Sequence, residues 1–156
     1  MDKEKEAHHK PINLNKLKDI LFIVSSIIFN IAVSIVYIAS KIDNPVLLRF
    51  SGIVVVLLSI PFTISLIGYI KDKAKKKIII SLIIILFYLF LEVLLDYILK
   101  IPFREIPAIH IPYIIVFYAA AFSMIGVTRN INRKMGFIVL ATFFILLACL
   151  AYMYLG

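Results

Sequence analysis

The chain has 156 residues, 63% of them apolar and 17% charged, with a formal net charge of +8. A soluble domain of this size cannot hide so large an apolar fraction, because its surface-to-volume ratio is too high. The one cysteine, Cys149, excludes a disulfide scaffold, and the shortage of polar residues excludes a disordered chain. An integral membrane protein remains.

Runs without Asp, Glu, Lys or Arg mark the spans in chain order. They are Ile20 to Ser40, Phe50 to Ile70, Ile78 to Leu91, Ile106 to Thr128 and Met135 to Gly156. The third continues its apolar pattern past Glu92 and Asp96 to Leu99. A helix rises about 1.5 Å per residue, so ~20 residues cross a hydrocarbon core of about 30 Å. The reading is all-α: an integral membrane bundle of five transmembrane helices at about 20–40, 46–70, 78–99, 108–127 and 135–155. Residues 1–19 form a polar N-terminal segment and 20–156 a single five-helix domain. The runs do not alternate in polarity, as barrel strands would. The first span is read as a permanent helix, since no A-x-A site closes it and its apolar core is too long for a cleaved signal.

Lys and Arg set the orientation. Lys3, Lys5, Lys10, Lys16 and Lys18 precede span one, Lys71, Lys73, Lys75, Lys76 and Lys77 follow span two, and Arg129, Arg133 and Lys134 follow span four. The other side holds only Lys41, Arg49, Lys100 and Arg104. The positive-inside rule therefore predicts N-in and C-out, in the plasma membrane. Lys71 to Lys77 contains no aromatic residue to stack on bases, so its predicted partner is anionic headgroups rather than nucleic acid.

Within the spans, Pro45 suits a first helical turn and Pro61 predicts a kink. Ser26, Asn30 and Ser34 form one polar stripe. Asn30 needs a partner across a helix or on a ligand. Gly52, Ser59 and Thr63, then Ala119, Ser123 and Gly126, then Ala141 and Ala148 read as small-residue packing seams, suited also to a homo-oligomer or another membrane protein. Tyr37, Tyr97, Tyr113, Tyr152 and Tyr154 read as an outer aromatic belt.

The functional signal is in span three. Glu92, Asp96 and Lys100 follow each other at intervals of four, on one helix face. With Lys100 at the outer interface, Asp96 lies about 6 Å and Glu92 about 12 Å deep. Carboxylates at such depth face a bundle interior or a wet cavity and have a partner. Arg49, Arg104 and His110 lie on the same side. The segment Ile101 to Pro112 carries three prolines five apart and is expected to be irregular and to cover the acids. Three readings stay open: a structural ion-pair network, a proton- or cation-coupled site, and a catalytic or metal site. No nucleophile elbow or phosphate-binding glycine loop is present, and the acids and His110 match no metal-ligand spacing, so no cofactor or metal is expected. The leading expectation is a non-enzymatic membrane protein that binds a partner or small solute through Glu92, Asp96, Arg49, Arg104, His110 and Asn30. The alternatives are a proton- or cation-coupled transporter and an enzyme of lipid headgroups.

Overall fold

The computed structural model describes residues 17–155, apart from the side chain of Arg104. The lysines and histidines of residues 1–16 lie outside the described residues. All regular structure in 17–155 is helical, and five helices are long and apolar enough to cross a membrane. α1 spans Leu17–Lys41, α2 Pro45–Leu57, α3 Ser59–Lys71, α4 Lys76–Glu92, α5 Pro107–Ile131 and α6 Arg133–Leu155. α2 and α3 form one apolar unit, Pro45–Lys71.

The break in that unit has a local cause. Pro61 has no N–H to give the carbonyl of Leu57, and the helix is interrupted at Leu58, one residue later. The buried stripe still runs through the break: Ser51, Val55, Leu58, Phe62, Ser65 and Tyr69 recur every three or four residues. One seam therefore faces the bundle on both sides of the interruption.

Helix ends close without glycine. After α1, Asp43 takes a left-handed φ of 51°, Asn44 N–H donates to Ala39 at 3.0 Å and Asp43 N–H to Ser40 at 3.4 Å. After α3, Lys73 repeats this at φ 51°, with Ala74 N–H on Tyr69 at 3.0 Å and Lys73 N–H on Ile70 at 3.1 Å. These pairs of bonds are Schellman closures, which satisfy carbonyls a helix end leaves open. Asn44 then caps α2 by accepting from Leu47 N–H at 3.1 Å, with Pro45 in the first turn as expected.

α1 is the central helix. Half of its apolar window is buried, against 17–28% in the other four long helices. It packs on α6, α2, α3 and α5, while α3, α4, α5 and α6 each touch the next. Phe29 of α1 sits edge-on to Tyr88 of α4 at 5.8 Å and lies 6.2 Å from Phe117 of α5. The outward surface is apolar: Phe50, Ile60, Ile83, Ile115 and Phe144 are all exposed.

Two of the expected small-residue seams do not pack within the bundle but lie on its outward surface. Gly126 has no atom within 4 Å of where a side chain would begin, and Ala141 and Ala148 are exposed. α5 instead buries Ala120, Ala121, Met124 and Val127, and α6 buries Gly136, Val139, Phe143 and Leu146. Small residues do not orient a helix when larger neighbours offer more contact area. The close approach falls at Gly136, where a Cβ would lie 2.8 Å from the Arg129 Cα.

At the end carrying Lys71 to Lys77, α1 and α3 are clasped together. Lys18 pairs with Asp72, Tyr69 donates to Asp19 at 2.5 Å, and Ser65 donates to the Lys18 carbonyl at 3.1 Å.

Candidate functional site

The opposite end of the bundle holds a cavity of about 540 Å³. All five long helices contribute: α1 through Val33 to Ser40, α2 through Pro45 to Val55, the α4 end through Tyr88 to Tyr97, α5 through His110 to Tyr118, and α6 through Leu150 to Tyr154. The volume lies within the ~300–1,000 Å³ of typical small-molecule sites.

The α4 end builds the acidic wall. From Val93 to Ile98 the helix widens to a π-helix, with Leu99 N–H reaching back five residues to Leu94 at 2.8 Å. A π turn holds about 4.4 residues, so residues four apart stay on one face with the opposite offset to an α-helix. Tyr88, Glu92 and Asp96 consequently share the cavity wall. The helix stops before Lys100, which does not extend the expected helical face. It lies in the exit turn at φ 49° and reaches the cavity rim from there.

Glu92 is the centre of a hydrogen-bonded triad. Tyr113 donates to Glu92 Oε2, Tyr88 donates to the same oxygen at 3.3 Å, and the two hydroxyls lie 2.9 Å apart. Hydrogen bonds to a carboxylate are about twice as strong as neutral ones, so this arrangement fixes the acid inside the bundle. Neither carboxylate stands without an interaction, and both are half-buried on the cavity wall rather than projecting beyond the helix. Tyr97 continues this wall. Its hydroxyl rests 2.8 Å from where a Gly52 Cβ would lie, so the missing side chain at Gly52 lets the α4 end close against α2.

The segment after α4 is more ordered than its prolines suggest. Phe103 is fully buried in a short 3₁₀ turn, Phe103–Glu105, with its ring 4.7 Å from that of Tyr113. Pro107 begins α5, and Pro112 lies inside it. The helix thus starts close to the 108 read for the fourth span, and the expectation that the prolines keep the chain irregular is corrected from Pro107 onward: a proline in the first turn loses no helical bond, and Pro112 affects only the carbonyl of Ala108. His110 lines the cavity, and its Nδ1 is buried with no hydrogen-bond partner.

Glu92, Asp96, Arg49 and His110 thus meet around one space. The Arg104 side chain lies outside the described residues. Asn30 does not line the cavity. Its amide donates to Thr142 Oγ1 at 2.9 Å and to the Val139 carbonyl at 3.3 Å, tying α1 to α6. Sequence reasoning missed the tyrosines. Six of the chain's eight border the cavity: Tyr37, Tyr88, Tyr97, Tyr113, Tyr118 and Tyr154. The available signal was Tyr88, which precedes Glu92 and Asp96 in the same four-residue register. Tyr152 does not border the cavity and is exposed as a belt residue would be, while Tyr97 and Tyr154 border it and are exposed as well.

Beneath the cavity, Phe29, Tyr88 and Phe117 close the floor with their rings. Among the described residues, no three His, Cys, Asp or Glu side chains converge to hold a metal ion. Comparison with protein-family models, curated proteins and solved structures gives no match.

Proposed function

We propose that the chain is a five-pass protein of the plasma membrane that binds a small solute in this cavity from the non-cytoplasmic side. The cavity carries the reading: two carboxylates and six tyrosines surround a space of ligand size inside an otherwise apolar bundle. Ionisable groups at such depth are costly unless protein or water surrounds them, and here they border an open space. The aromatic floor supports binding over a continuous path through the bundle.

Orientation follows from charge. In sequence, the N-terminal segment, Lys71 to Lys77, and Arg129 to Lys134 carry 13 of the 17 Lys and Arg, and among the described residues Lys71 to Lys77 lie at the end away from the cavity. This bias supports an N-terminus in the cytoplasm and a C-terminus outside. Lys71, Lys73, Lys75, Lys76 and Lys77 then meet anionic headgroups, at about 1 kcal/mol per lysine near the surface.

The test uses single cysteines in a Cys149→Ser background. Ser40→Cys is a near-isosteric change at an exposed position on the cavity rim. A membrane-impermeant maleimide applied to intact cells is expected to label residue 40, and to label Lys73→Cys only after permeabilisation. Labelling of residue 73 alone in intact cells refutes the orientation. An unreactive residue 40 on both sides refutes an open cavity.

A further inference from the structure

The cavity also carries information about what it takes, and this inference rests on the binding reading above. Its charges are arranged by position. Glu92 and Asp96 are half-buried on the wall, whereas Arg49 and Lys100 are exposed and border the same space. Among the described residues, neither Arg49 nor Lys100 forms an ion pair; the ion pair found there joins Lys18 to Asp72, at the other end of the bundle. Arg49, Glu92, Asp96 and Tyr97 all border the one cavity, so cation and anions share one neighbourhood.

A purely cationic ligand would gain from the acids and tyrosines but meet two positive groups at the mouth. A purely anionic ligand would gain from Arg49 and Lys100 but meet the acids below. Such opposed elements disfavour both. Tyrosine faces attract ammonium groups, most strongly when the group is quaternary and partly desolvated. Arg49 offers the planar fork that matches phosphate or carboxylate. The buried, unpartnered Nδ1 of His110 adds one polar contact within the lining.

We propose that the cavity receives a zwitterion, its ammonium group against Glu92, Asp96 and the tyrosines and its anionic group at Arg49 and Lys100. Phosphocholine is the simplest probe of this chemistry, free in water or as a lipid headgroup.

The chain has no tryptophan, so tyrosine emission reports largely on the cavity. The protein is placed in phosphatidylglycerol nanodiscs, which supply no zwitterionic lipid, and titrated with phosphocholine, choline and glycerol phosphate. Phosphocholine is expected to bind at least about tenfold tighter than either half-ligand, since each charged contact contributes separately. Asp96→Asn and Arg49→Gln are each expected to abolish that advantage. Arg49 is exposed and its variant keeps the test decisive should Asp96→Asn misfold. Lysophosphatidylcholine and lysophosphatidylglycerol separate the sources. Response to the first lysolipid without response to phosphocholine assigns a lipid headgroup, and equal response to the first lysolipid and phosphocholine assigns a free solute. Choline or glycerol phosphate binding as tightly as phosphocholine overturns the proposal, as does equal response to both lysolipids or silence towards every probe. These failures, with residue 40 still labelled from outside, leave the cavity reading standing; an unreactive residue 40 removes both.

Discussion

Removing the Tyr113 hydroxyl isolates the polar triad from the packing around it. In Tyr113→Phe the ring keeps its neighbours, Phe103 at 4.7 Å and Tyr88 at 5.6 Å, so little buried area changes. What disappears is the bond donated to Glu92 and the 2.9 Å contact with the Tyr88 hydroxyl. A hydrogen bond to a charged group contributes about 1.5–3 kcal/mol and a neutral one about 1 kcal/mol. Tyr88 already reaches Glu92 at 3.3 Å and can shorten that bond. The net loss is therefore expected to be about 2–3 kcal/mol. Equilibrium unfolding in mixed micelles measures it. A cycle with Glu92→Gln separates the charge-assisted part, because the amide oxygen still accepts; the coupling is expected to be about 1 kcal/mol. A Tyr113→Phe cost below about 0.5 kcal/mol, additive with Glu92→Gln, would refute the triad as a structural unit.

Three further outcomes follow from the packing. Gly136→Ala sets a Cβ 2.8 Å from the Arg129 backbone, which cannot move aside, and should lower stability by about 1–3 kcal/mol; Gly126→Ala meets open space and should stay within about 0.5 kcal/mol of the parent in the same unfolding assay. Asn30→Leu removes the donations to Thr142 and Val139 at similar volume and should cost about 1 kcal/mol, read as a shifted unfolding midpoint. Gly52→Ala meets only the mobile end of Tyr97, so stability should fall by less than about 1 kcal/mol, while displacement of that ring should change the labelling rate of a cysteine at position 40.

The five long helices were legible because charge-free runs report helix length directly. The read span of 20–40 became Leu17–Lys41 and 108–127 became Pro107–Ile131. The helices are longer because Lys18, Asp19, Lys41 and Arg129 continue the helical backbone beyond the apolar run. Charge ends an apolar pattern without ending a helix. Pro61 announced a break, and its place followed from the N–H that proline lacks. The turn closures were hidden, since left-handed caps ordinarily show as glycine, and here Asp43, Lys73 and Lys100 occupy them. The π-helix after Glu92 has no compositional mark. The acids stood out because burying charge in an apolar run is costly, whereas tyrosine suits an interface belt and a cavity wall equally well. Only the three-dimensional packing of five helix ends distinguishes those two fates.

A binding cavity at this end of the bundle requires water, rather than lipid, in the space beside Glu92 and Asp96. Tyrosine quenching in nanodiscs tests this most directly, because most tyrosines line that space and no tryptophan masks them. Acrylamide in the aqueous phase is predicted to quench the larger part of the emission, and brominated acyl chains the smaller part. Dominant quenching by the brominated chains would place the tyrosines against lipid and contradict a wet cavity.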